Sequence, residues 1–106
     1  MLARSAVLKL AKGFINELKS RGLAANRAVV FGSYAKGVAN EQSDIDLAIW
    51  ADEFSGCQAE DIELIIPIKK NFSHLLEVHT FHSTETEHTN PFVGDIVRTG
   101  IAIQIE

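Results

Sequence analysis

The sequence predicts a small α/β (α+β) domain: a mixed sheet of about four strands with helices packed on it, in the order α-β-α-β-α-β-α-β. Three observations carry that expectation. Apolar residues recur at spacings of three and four in some segments and at every second position in others, which separates helices from strands. Gly22, Gly32, Pro91 and Gly100 fall where one pattern gives way to the next. The chain has 106 residues, 46% of them hydrophobic, enough for one domain over 1–106 with a modest core.

Residues 3–20 read as a helix. Val7, Ala11, Phe14 and Leu18 form its apolar stripe, with Leu8, Leu10 and Ile15 widening it. Lys9, Lys12, Asn16, Glu17 and Lys19 take the other side; the basic residues read as a solvated face rather than a binding patch. Gly22 supplies the C-terminal stop. Arg27–Phe31 is a short strand ended by Gly32, residues 33–37 are a turn of helix, and residues 38–43 are a loop. Residues 45–50 form the second strand. A site built from the end of the first strand and the start of the second, with so short a connection, makes the two antiparallel.

Residues 52–56 are turn-like, and residues 59–70 read as a helix with Ile62, Ile65, Ile66 and Lys69 on one side. Pro67 lies inside it, so the helix is expected to be kinked or split there. Residues 74–81 alternate as a third strand, with Leu75, Glu77, His79 and Phe81 on one face and Leu76, Val78 and Thr80 on the other. After a polar loop over 82–89, Asn90-Pro91 opens a helix with Pro91 at its first position. Phe92, Ile96 and Val97 are expected to pack inward before Gly100 closes it, and residues 101–105 alternate as a last strand.

The bulk composition narrows the function classes. A formal charge of −4 argues against a nucleic-acid duplex as the main partner, though not against a nucleotide whose charge a metal screens. The single cysteine, Cys57, can form no internal disulfide, which fits a reducing, cytoplasmic compartment. Charges break up the first nine residues, so neither a signal peptide nor a membrane span is expected.

Chemistry concentrates in Phe31-Gly32-Ser33-Tyr34-Ala35-Lys36-Gly37 and, with ten residues intervening after Ser33, in Asp44-Ile45-Asp46. Asp44 and Asp46 project to one side of the second strand while Ile45, Leu47 and Ile49 enter a core on the other. Two carboxylates with no basic residue between them repel, and Mg²⁺ is the natural counter-charge for an all-oxygen site. Glycine lets the backbone approach a ligand closely, and the N–H groups beyond Gly32 favour an anion such as a phosphate. Transfer of a phosphoryl or nucleotidyl group calls for a further acid that activates the attacking hydroxyl and helps hold a second metal. Glu77 is the candidate, because a carboxylate in an otherwise apolar strand is costly without a role. The alternative is an edge-strand acid facing water.

Those residues resemble the DNA polymerase β-like nucleotidyltransferase superfamily, in the compact form of the minimal nucleotidyltransferase (MNT) domain of antitoxin type. Glu77-x-His79-x-Phe81, Asn90-Pro91-Phe92 and Arg98-Thr99-Gly100-Ile101 extend the resemblance over residues 27–105. The family's third acid is often aspartate, so Glu77 is a departure seen in a subgroup. The resemblance implies transfer of AMP from ATP to an acceptor hydroxyl. Asp44, Asp46 and Glu77 would hold two Mg²⁺ ions, and Gly32 and Ser33 would hold the triphosphate. It also implies a partner: MNT domains pair with an all-helical HEPN toxin and adenylylate its tyrosine, as the antitoxin of a type VII-like module. A non-catalytic module that neutralises a partner by occlusion, and a small-molecule nucleotidyltransferase working as a homodimer, are the alternatives.

Other residues carry open readings. Ser33 is either a phosphate ligand or a helix N-cap, or both. Lys36 is either a phosphate contact or a surface lysine. His79 either orients Glu77 or meets the nucleotide. A zinc site at His79 and His82 lacks convergent ligands. Tyr34 and Trp50 are core or pocket-rim aromatics. Asp61, Glu63, Glu85 and Glu87 are expected to be solvated charges.

Overall fold

The apolar stripe of the first segment folds as α1 (Arg4–Ser20), with Val7, Ala11, Phe14, Ile15 and Leu18 buried. It stops at Gly22, whose φ of +88° suits glycine. There the Leu23 N–H donates to the Leu18 carbonyl (2.9 Å) and the Gly22 N–H to that of Lys19 (3.1 Å), closing the last turn. This computed structural model describes residues 2–105. The remaining elements are β1 (Arg27–Phe31), α2 (Ser33–Lys36), β2 (Ile45–Ala51), α3 (Gln58–Lys69), β3 (Leu76–His82), α4 (Pro91–Thr99) and β4 (Ile101–Ala102).

The sheet has four strands in the order β3-β2-β1-β4. β1 is antiparallel to β2, as expected from the sequence, and also to β4. β2 and β3 are parallel, with α3 as the crossover between them. Alternation along the central strands feeds two cores. Ile45, Leu47 and Ile49 of β2 join Val30, Leu76 and the buried stripe of α1 on one face. Val29, Phe31, Ala48, Trp50 and Phe81 meet Val93 and Ile96 of α4 on the other. The sheet is therefore covered on both faces.

Four details differ from the sequence reading. α3 is a single continuous helix: Pro67 lies in its last turn, where it removes one backbone donor without splitting it. Its buried side is Asp61, Ile65 and Ile68, whereas Ile62 and Ile66 are 43% and 54% exposed. In α4 it is Val93 that turns inward beside Ile96, and Phe92 stays 46% exposed. The Asn90 side chain accepts the Phe92 N–H (3.0 Å) with Pro91 at the first helical position, and this cap fixes where the helix begins. The last strand pairs over Ile101–Ala102 alone.

Candidate functional site

The site begins where β1 ends. Gly32 has φ +75° and ψ −151°, a conformation essentially confined to glycine. A side chain there would also overlap the carboxylate of Asp46. The Asp46 carboxylate therefore lies directly over bare glycine backbone. α2 starts at Ser33 with Gly32 as its N-cap and no side-chain cap. Ser33 is thus not the capping serine, and among the described residues its hydroxyl makes no hydrogen bond. Lys36 is exposed at the end of α2. Tyr34 is turned away into the α1-side core, its hydroxyl accepting the Leu2 N–H (3.3 Å), and so does not face a ligand beside Ser33.

Strand register supplies the rest. Phe31, Asp46 and Glu77 form one cross-strand row over β1, β2 and β3, and His79 follows on the same face two residues beyond Glu77. His79 Nε2 lies 3.2 Å from Asp46 Oδ1. One donor atom each from Asp46, Glu77 and His79 lie within 4.8 Å of one another. Phe31 meets the His79 ring edge-on at 4.9 Å between centroids and Phe92 does so at 6.3 Å, so two aromatic rings fix the imidazole. Two carboxylates and an imidazole at this spacing form a donor set that fits one divalent cation.

Of the three acids singled out in the sequence, the fold brings Asp46 and Glu77 together. Asp44 lies one residue before β2, is exposed and stays outside the cluster with His79. With Glu77 it lines a cavity of about 330 Å³ between α3 and β3, walled by Ile62, Ile66 and Leu76. The alternation of Glu77 and His79 was legible in the sequence. The contact between His79 and Asp46 was not, because it depends on the register of two strands separated by α3.

Two acids expected to be solvated are structural instead. Asp61 is buried, accepting from the backbone N–H groups of Ser55 (2.8 Å) and Gly56 (3.0 Å), from the Ser55 hydroxyl (3.1 Å) and from Thr80 (2.7 Å). Burial alone would raise its pKa; the donors at Ser55, Thr80 and Gly56 outweigh that and hold the carboxyl below its usual value. Glu85 accepts the His82 N–H at 3.0 Å and an Asn90 side-chain N–H at 3.4 Å, and its carbonyl accepts the Trp50 indole N–H at 2.9 Å. Glu87 is exposed, 3.9 Å from Arg27, and Glu63 is exposed as expected.

A family described as "Nucleotidyltransferase domain" matches residues 11–98. No curated protein matches this chain. Among solved structures, an inferred nucleotidyltransferase from Sulfolobus solfataricus aligns with a TM-score of 0.69 and 19% identity, over 97% of this chain and 84% of that one. At that identity the likeness speaks for the fold.

Proposed function

The chain belongs to the nucleotidyltransferase-domain family, and from that premise we propose that it transfers a nucleoside monophosphate, AMP from ATP, to an acceptor hydroxyl and releases pyrophosphate. The observation that carries this reading is the glycine turn beneath Asp46, in a cross-strand row with Glu77: a closely approachable backbone beside paired carboxylates. Gly32 and the free Ser33 hydroxyl would hold the triphosphate, with Lys36 as a further cation. Asp46 and Glu77 would hold the divalent ions, Mg²⁺ on the sequence reading, and Asp44, which stands outside their cluster, would have to turn towards them to contribute. Such an ion, when bound, neutralises charge developing on the transferred phosphoryl group and on the leaving pyrophosphate. Glu77, on the far side of Asp46 from Gly32, would accept the proton of the attacking hydroxyl.

The acceptor would then enter from the β3 side. Supporting this, Glu77 and Asp44 open onto the cavity between α3 and β3. Apolar Ile62, Leu64 and Ile66 stand exposed on α3, which favours a protein over a small molecule as the source of the hydroxyl. The resemblance to MNT antitoxins names that protein as a HEPN toxin and the group as its tyrosine.

The test is transfer of α-labelled ATP by the purified chain with Mg²⁺ or Mn²⁺, alone and with a HEPN protein encoded beside it. Label on the partner that disappears with Asp46→Asn supports the whole reading. Label on small hydroxyl compounds alone would retain the transferase and reject the protein acceptor. No label anywhere, with partner binding intact, would leave neutralisation by occlusion.

A further inference from the structure

The geometry points to His79 as a nitrogen ligand of the metal site: we propose that Asp46, Glu77 and His79 bind one divalent cation together, and that the imidazole gives the site a preference for Mn²⁺ over Mg²⁺. The inference rests on the reading above that these carboxylates take a divalent ion, and extends it to the ligand set and the metal.

Three observations support it. The first is distance. Around an octahedral ion with metal–ligand bonds of about 2.1 Å, neighbouring ligands lie about 3 Å apart and opposite ones about 4.2 Å. The His79 Nε2 to Asp46 Oδ1 separation of 3.2 Å matches a neighbouring pair, and the donors as a set lie within 4.8 Å. One ion can therefore reach all three with small adjustments. The second is immobilisation. The His79 ring is held edge-on by Phe31 and by the half-exposed Phe92, so its Nε2 is aimed at the carboxylates before any ion arrives. The third is the placement of Asp44. The carboxylate that would supply a further oxygen is exposed and outside this cluster, while a nitrogen occupies the available place. Mg²⁺ is a hard ion that dehydrates reluctantly and favours oxygen ligands, whereas Mn²⁺, which also suits carboxylates, belongs to the first-row series that mixed nitrogen and oxygen sites bind.

The probe is Mn²⁺ itself, added to the full chain and followed by pulsed electron paramagnetic resonance. Bound Mn²⁺ is expected to show electron spin-echo modulation from a directly coordinated imidazole nitrogen, and incorporation of ¹⁵N-histidine should alter that modulation. His79→Gln should abolish it and weaken Mn²⁺ binding by at least about tenfold, the loss usual even for a residue that only supports a ligand. Mg²⁺ binding, read by competition against Mn²⁺, should change little in the same variant. Bound Mn²⁺ with no nitrogen modulation in the wild-type chain would overturn the proposal and reduce His79 to a hydrogen-bond partner of Asp46. That readout does not depend on how well His79→Gln folds. Modulation that survives in a folded His79→Gln chain would also overturn it, assigning the nitrogen to another histidine. Failure of both Mn²⁺ and Mg²⁺ to bind, with and without ATP, would overturn the metal-dependent reading of the site and this proposal with it.

Discussion

Two neighbouring residues separate what the site needs from what the fold needs. Gly32→Ala forces a side chain into a glycine-only conformation and into the Asp46 carboxylate. The expected cost is about 1–3 kcal/mol, read as a lower denaturation midpoint, with divalent-ion affinity falling as Asp46 is displaced. Ser33→Ala removes a hydroxyl that makes no hydrogen bond among the described residues. Stability should then stay within about 0.5 kcal/mol of wild type while KM for the nucleotide rises. An unchanged KM would remove Ser33 from the triphosphate site. At this scale the sequence was informative where spacing alone fixes geometry, as in the closeness of Gly32 to Asp46; Glu77, read as costly to bury, is instead exposed on the edge strand β3 beside Asp46. It was silent on Asp61, because nothing local says that a helix acid will fold back onto Ser55 and Gly56 and reach Thr80 on β3.

Asp61 ties three elements, joining the loop before α3, the first turns of α3 and the face of β3. Its folded pKa lies below its unfolded value, so its contribution is fully present above the unfolded pKa and is lost as pH falls through the folded one. Chemical denaturation below about pH 4 should therefore show stability declining less steeply in Asp61→Asn than in wild type, from a lower starting point at neutral pH. The helix it belongs to was the least legible element. Apolar residues at 62, 64, 65, 66 and 68 surround α3, so periodicity alone left its buried face ambiguous; the face that turns inward is the one carrying Ile65, Ile68 and Asp61, which bonds to Thr80. For α4 the pattern was clear, but successive residues stand about 100° apart, so packing that buries Val93 beside Ile96 turns Phe92 outward. The exposed face of α3 carries its own prediction. Paired Ile62→Glu and Ile66→Glu should reduce labelling of a protein acceptor several-fold while lowering thermal stability only slightly, since both residues are already about half exposed.

For the whole molecule, the alternation of elements and the antiparallel start of the sheet could be read directly. The parallel pairing of β2 with β3, and the placing of α4 on the face opposite α1, emerge only from three-dimensional assembly. Among the described residues no helix is long and apolar enough to cross a membrane. The two-sided burial of the sheet has an optical consequence. The chain has one tryptophan and one tyrosine, and they lie in different cores: Trp50 stacked on Phe81 beneath α4, and Tyr34 against the α1 side. Each chromophore therefore reports on its own face of the sheet without any label. Fluorescence from Trp50 and the tyrosine band of the second-derivative near-ultraviolet absorbance, from Tyr34, should change at the same denaturant concentration if the two cores melt as one. Separate midpoints would reveal a molecule able to loosen one face while the other stays packed.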